Sequence, residues 1–162
     1  MRNYHRNVQR GIKLFGEHKD NKEHFLSVNV GSTIIRIHHP TNRRLPPIEY
    51  KPDATIILRN RRKIVFQVLD TQAGKNREIE ADMFRGFLSG EVSIMVFVAK
   101  SRENAKNVDR ISIILTENLS GYGVPDESMP ITIALIIPET VRNTEGALRY
   151  LNDIRSKLIS PL

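Results

Sequence analysis

The order of apolar segments predicts an α/β fold, a mixed β-sheet flanked by helices on both sides. Three observations carry this. Two β-rich runs, DATIILRN and KIVFQVL, are joined by the short basic turn Arg59-Asn60-Arg61-Arg62, the pattern of antiparallel neighbours. The run VSIMVFVAK is apolar without alternation, as a strand covered on both faces of a parallel or mixed sheet must be. Helical patterns stand between the later strands, so helices have to cover the sheet.

Taken in order, the chain opens with an amphipathic helix from about Asn3 to His18, because Val8, Ile12 and Phe15 recur at helical spacing. HFLSVNV and STIIRIH read as two strands meeting in a hairpin at Gly31-Ser32. HPTNRRLPPIEYKP, rich in proline and arginine, reads as a loop suited to ligand contact. After the two β-rich runs, Gly74 opens a helix whose apolar face is Ile79, Met83, Phe84, Phe87 and Leu88, and Ser89-Gly90 ends it. RENAKNVDRISIILTENL favours a helix through Ala105, Val108, Ser112, Leu115 and Leu119. ITIALII is a further buried strand, and a last helix runs from about Asn143 to Leu158 with Ala147, Leu151, Ile154 and Leu158 inward. At 162 residues the chain is expected to form one domain over 1–162.

Composition excludes several kinds of chemistry. There is no cysteine, hence no disulfide, thiol nucleophile or thiolate metal site. The histidines His5, His18, His24, His38 and His39 lack the helical spacing of a zinc protease, and read as surface or capping residues. No apolar run approaches the roughly 20 residues of a membrane span, and the N-terminus lacks a secretory pattern, so the expectation is a cytoplasmic protein without a membrane partner. The net charge of +7 is concentrated: from Arg36 to Lys63 lie eight basic side chains against Glu49 and Asp53. A local excess of this kind suits a phosphate backbone, whose counterions it displaces. The nucleic-acid contacts expected from it are Arg43, Arg44, Arg61, Arg62 and Lys63.

The element order, with KPDATIILRNRRKIVFQVLDTQ, resembles the PD-(D/E)XK nuclease superfamily, the fold of restriction endonucleases and Holliday-junction resolvases. Pro52-Asp53 matches the Pro-Asp pair at the start of one central strand. IVFQVLD lies where the family carries its acid, any residue, then lysine, so Gln67 stands at the acid position and Leu69 at the lysine position. The resemblance implies a restriction-endonuclease-like sheet and a DNA endonuclease using Mg²⁺ or Mn²⁺, with Asp53 and Gln67 as metal ligands. Carboxylate and carbonyl oxygens suit a hard cation, and an ammonium beside it stabilises charge developing on phosphorus.

Residues two apart on a strand share a face, so Gln67 and Leu69 face one cavity. Gln67 keeps an oxygen donor and loses the charge, whereas Leu69 cannot replace an ammonium. Catalysis therefore needs a cation from elsewhere, and the expected catalytic set is Asp53, Gln67 and Lys75, with Glu78 and Asp82 on the same helix as alternatives; Glu17 on the first helix is available but is assigned no role. Lys63 shares the parity of Gln67 but lies about 13 Å down the strand. The alternative keeps the fold without the chemistry, as a DNA-binding or assembly module. In it Asp53 is a strand-entry residue, and Asp70-Thr71-Gln72 cap the following helix. Many members of the resembled family act as dimers, which makes a homodimer the expected form if two strands are to be reached.

Overall fold

Two hydrophobic cores form on opposite faces of one five-stranded sheet. The computed structural model describes residues 2–69 and 76–162, so the expectations resting on Asp70, Thr71, Gln72, Gly74 and Lys75 lie outside the described residues. The elements are α1 (Arg2–Glu17), β1 (Phe25–Val30), β2 (Ile35–Ile37), β3 (Ile48–Tyr50), β4 (Ala54–Leu58), β5 (Lys63–Val68), α2 (Asn76–Ser89), β6 (Val92–Ala99), α3 (Arg102–Gly121), β7 (Ile131–Ile136), α4 (Thr144–Asp153) and α5 (Arg155–Ile159). The strand order is β1-β4-β5-β6-β7. β1, β4 and β5 are antiparallel neighbours, while β5, β6 and β7 run parallel, so the sheet is mixed as expected.

Alternation along β5 divides the cores. Ile64, Phe66 and Val68 point to the face covered by α1 and α4, where they meet Val8, Ile12, Phe15, Ala147 and Leu151. Val65 and Leu69 point to the face covered by α2 and α3, with Ile79, Met83, Val108 and Ile111. β6, central and fully apolar apart from Ser93, serves both cores, which is why its sequence shows no alternation. α3 starts at Ser101, whose hydroxyl accepts the Asn104 N–H, and α4 starts at Asn143, whose side chain accepts the Gly146 N–H.

Four details depart from the expectations. HFLSVNV and STIIRIH do not form a hairpin: β1 pairs with β4, and β2 pairs with β3 in a separate two-stranded ribbon. The cause is burial. Phe25 of β1 belongs to the α1 core and Ile35 of β2 to the α2 core, so the chain has to change faces at Gly31, whose φ of +77° and N–H bond to the Asp53 carbonyl turn it off the sheet. The Pro/Arg segment is not all loop, since Ile48–Tyr50 is the second strand of that ribbon. β7 is an edge strand and only half buried. The last helix breaks at Ile154, although Ala147, Leu151, Ile154 and Leu158 all point inward as expected.

The basic turn after β4 is tightly built. Arg61 adopts a left-handed conformation (φ +72°), Leu58 N–H bonds the Arg62 carbonyl at 2.8 Å, and Asn60 Oδ1 accepts the Arg62 N–H at 3.0 Å. The chain direction therefore places this turn at one end of the sheet and Asp53, with the C-terminal end of β5, at the other.

Candidate functional site

Asp53 lies one residue ahead of β4 and continues the β4–β5 register past Ala54↔Phe66, opposite Gln67. Its backbone fixes it in place. The N–H bonds the Phe66 carbonyl at 3.0 Å, and the carbonyl accepts from Gly31 N–H and from Gln9 Nε2 on α1, each at 3.0 Å. Its carboxylate is also engaged. Oδ2 accepts the Val68 N–H at 2.7 Å and Gln67 Nε2 at 3.3 Å, while His5 Nε2 on α1 lies 3.3 Å from Oδ1.

The network continues on the far side of Gln67. Tyr50, at the end of β3 and only 1% exposed, donates its hydroxyl to Gln67 Oε1 at 3.2 Å. Gln67 thus links Tyr50 to Asp53 with both ends of its amide in use. Burial, helped by the negative charges of Asp82 and Asp53 and opposed by Arg85, pushes the Tyr50 hydroxyl well above the usual phenol range, so it stays a donor. Asp82 on α2 is pushed up to about 6, chiefly by burial and further by Asp53 and Glu78, although the Arg85 guanidinium 3.7 Å away opposes this.

The structure brings Asp53 and Gln67 together, as expected of adjacent strands at one rim. It does not turn the Gln67 oxygen toward the carboxylate, because that oxygen accepts from Tyr50. Leu69, 3% exposed, packs into the α2 core, so the position matched to the family lysine is structural. Lys75 lies outside the described residues. Lys63 is at the opposite end of the sheet and pairs with Glu91 at 3.3 Å. Arg62 is there too, donating to Ser93 Oγ at 2.6 Å and to the Gly90 and Val92 carbonyls at 3.1 and 3.0 Å. Arg61 is exposed on that same turn.

Arg43 and Arg44 lie elsewhere, exposed on the loop joining β2 and β3, and neither makes an ion pair among the described residues. His39 shapes that loop, its Nδ1 accepting the Thr41 and Asn42 N–H groups at 3.2 and 2.8 Å. His18 caps similarly, accepting the Asp20 N–H, so two histidines behave as expected while His5 does not.

Sequence reasoning missed His5, Gln9 and Tyr50. Tyr50 had a signal, three residues ahead of Asp53 in IEYKPD, where a strand entering the rim places a side chain beside it. His5 and Gln9 had one too, lying four apart on one helix face. Lys100, the residue after β6, was also missed; its ammonium lies 4.8 Å over the Tyr4 ring and 3.6 Å from Glu139.

Mg²⁺ takes six oxygen ligands, of which a protein commonly supplies one or two carboxylates while waters complete the shell. Asp53 commits its oxygens to Val68, Gln67 and His5, Gln67 commits its oxygen to Tyr50, and no group of three or more histidine, aspartate or glutamate side chains among the described residues is placed to hold a metal. Among the described residues the side-chain oxygen donors where Asp53 and Gln67 meet are the Asp53 carboxylate and the Gln67 amide oxygen. No helix among the described residues is long and apolar enough to cross a membrane.

Fold and rim together define an α/β protein with a mixed five-stranded sheet and a polar hydrogen-bonded cluster where two antiparallel strands meet the first helix. Comparison with protein-family models, curated proteins and solved structures finds no match to this chain.

Proposed function

We propose that this chain is a DNA-binding protein on a nuclease-like scaffold, with the Asp53 rim serving as a structural anchor and not as a cleavage centre. The observation that carries the reading is the β2–β3 ribbon. It holds Arg36, Arg43 and Arg44 exposed and without ion-pair partners among the described residues, and it is anchored to the rim through Tyr50. A two-stranded ribbon fits the major groove of a duplex, and unpaired guanidinium groups on it can reach phosphates. Support for the scaffold comes from the element order and from Pro52-Asp53 opposite β5. Support for an inactive rim comes from Leu69 in the core and from the engaged carboxylate of Asp53.

The test is binding of a labelled DNA duplex, followed by fluorescence anisotropy across a salt series. Binding that weakens steeply and log-linearly with salt is expected. No retention of DNA at low salt would overturn the reading.

A second reading, a metal-dependent endonuclease, is favoured by one observation: Asp53 and Gln67, the residues at the resembled family's acid positions, meet at one rim of adjacent strands. Incubation of supercoiled plasmid with the protein and Mg²⁺ or Mn²⁺ separates the two. The anchor reading expects intact plasmid, whereas nicking that Asp53→Ala abolishes in a folded variant would establish the second.

A further inference from the structure

The central sheet ends on two unlike strands. β1, on one side, carries a register shift between Phe25 and Ser27 and the polar residues Ser27 and Asn29, features that discourage pairing with another chain. β7, on the other side, has none of the usual protections. Ile131–Ile136 pairs with β6 without a shift and contains neither a charged residue nor a proline, so an apolar run of six residues lies open between Pro130 and Pro138. The Ile137 N–H bonds the Ala99 carbonyl at 2.9 Å, and alternation then turns the N–H and C=O groups of Thr132, Ala134 and Ile136 away from the sheet. No strand lies beyond them among the described residues. Such a row of main-chain donors and acceptors is a template for one more strand.

The charge around this edge is opposite to that of the chain as a whole. From Ile111 to Val141 there are Glu117, Asp126, Glu127 and Glu139 and no lysine, arginine or histidine, whereas the net charge of the chain is +7. Glu139 is paired with Lys100. Glu117 on α3 and Asp126 ahead of β7 line a pocket of about 290 Å³ that also includes Ile131, the first residue of the strand. Both are exposed, and neither makes an ion pair among the described residues.

We infer that the β7 edge receives an extended basic segment of another protein, which adds to the five-stranded sheet with a lysine or arginine in the Glu117–Asp126 pocket. Main-chain bonds to Thr132, Ala134 and Ile136 supply affinity, and the pocket selects the sign of the charge. The carboxylates repel a phosphate backbone, so this edge is closed to nucleic acid. They also act against a second copy. In a parallel pair of β7 strands, Glu117 and Asp126 would meet their own counterparts, and in an antiparallel pair they would meet the end that carries Glu139, whose Lys100 is already engaged. Arg36, Arg43 and Arg44 belong to the β2–β3 ribbon and not to this edge, so the inference does not rest on DNA binding.

Fluorescence anisotropy with labelled synthetic hexapeptides tests the inference. One peptide alternates lysine and valine, a second alternates glutamate and valine, and a third is the lysine–valine peptide N-methylated throughout, which removes its backbone donors and keeps its charge. The first is expected to bind, and the other two to bind at least about tenfold more weakly. Glu117→Lys combined with Asp126→Lys should weaken the first peptide by about tenfold. Ala134→Pro should do the same, because it removes an outward N–H that β6 does not use, and far-ultraviolet circular dichroism checks that the variant folds. Failure of the lysine–valine peptide to bind overturns the inference. So does equal binding of its N-methylated form, or equal binding by the E117K/D126K variant. Self-association of the chain that Ala134→Pro abolishes, read by sedimentation equilibrium, also overturns it, since the edge would then belong to a second copy. The N-methylated peptide keeps the test decisive if Ala134→Pro fails to fold.

Discussion

Asp53 accepts the backbone N–H of Val68 at 2.7 Å, a charge-assisted bond that ties the entry of β4 to the exit of β5. The ladder between these strands ends at Ala54↔Phe66, so this side chain extends their pairing beyond the last regular step. Through its carbonyl the same residue holds Gly31 and Gln9, which joins α1 and the end of β1 to that junction.

Asp53→Ala should therefore destabilise the fold as well as alter the rim. Losing the carboxylate leaves the Val68 N–H and the Gln67 amide without their acceptor in a half-buried setting, a loss of about 2–4 kcal/mol. Asp53→Asn keeps an acceptor oxygen for Val68 and should cost about half as much. Urea unfolding measures both. An Asp53→Ala variant as stable as the parent would show that these bonds contribute no net free energy.

Tyr50→Phe isolates the other end of the network. Its ring stays packed between Ile35 and the α2 core while the Gln67 oxygen loses its donor, so the unfolding free energy should fall by about 1–2 kcal/mol relative to the parent, with an unchanged denaturant slope. If the Gln67 amide then rotates, its Nε2 leaves Asp53, and the loss in Tyr50→Phe should shrink in the Asp53→Ala background. A double-mutant cycle by urea unfolding reads that coupling.

Asp82 predicts how stability follows pH. Its folded pKa of about 6 lies above the ordinary aspartate value of 3.8, so the folded state binds the proton more tightly than the unfolded chain. The stabilising contribution of the protonated group is fully present below about pH 4, declines as pH rises through about 6, and is gone at neutral pH. Two units correspond to about 3 kcal/mol at most, with less expected because Arg85 and solvent reach the carboxylate. Asp82→Asn should remove this slope and leave the variant more stable than the parent at pH 7. Thermal melts at pH 4.5 and pH 7 compare the two, and equal slopes would rule out Asp82 as the source.

The strands of the central sheet were legible because their burial is uniform enough to write itself into composition: β6 is apolar nearly throughout, and β4 and β5 are short apolar runs around a charged turn. The β1–β2 hairpin was misread because turn chemistry at Gly31 says that the chain reverses without saying which face it joins. That depends on Ile35 packing with Tyr50, a pairing no local pattern contains. The ribbon strand Ile48–Tyr50 was hidden for a similar reason, being three residues long and flanked by prolines. At the rim, parity predicted the meeting of Asp53 with Gln67. It could not predict that Tyr50 would claim the Gln67 oxygen, since that hydrogen bond spans two separate sheets.

Charge runs carry a similar ambiguity, and Arg62 resolves it experimentally. In sequence it belongs to the same basic stretch as Arg43 and Arg44, yet its guanidinium makes three hydrogen bonds that fasten the β4–β5 turn to the start of β6, whereas theirs are exposed on a ribbon loop. A guanidinium held by two carbonyls and a hydroxyl has few donors left for a phosphate. On the proposed DNA-binding reading, Arg62→Ala should thus lower stability by about 1–3 kcal/mol and leave the salt dependence of that binding nearly unchanged. Replacing Arg43 and Arg44 by alanine should do the reverse, leaving the unfolding midpoint in place and reducing the slope of log K against log salt by about 0.9 for each phosphate that is no longer neutralised. Unfolding and anisotropy titrations on the same preparations decide it. If the slope falls for Arg62→Ala and holds for the ribbon pair, DNA lies against the turn at the other end of the sheet, and the ribbon does not touch it.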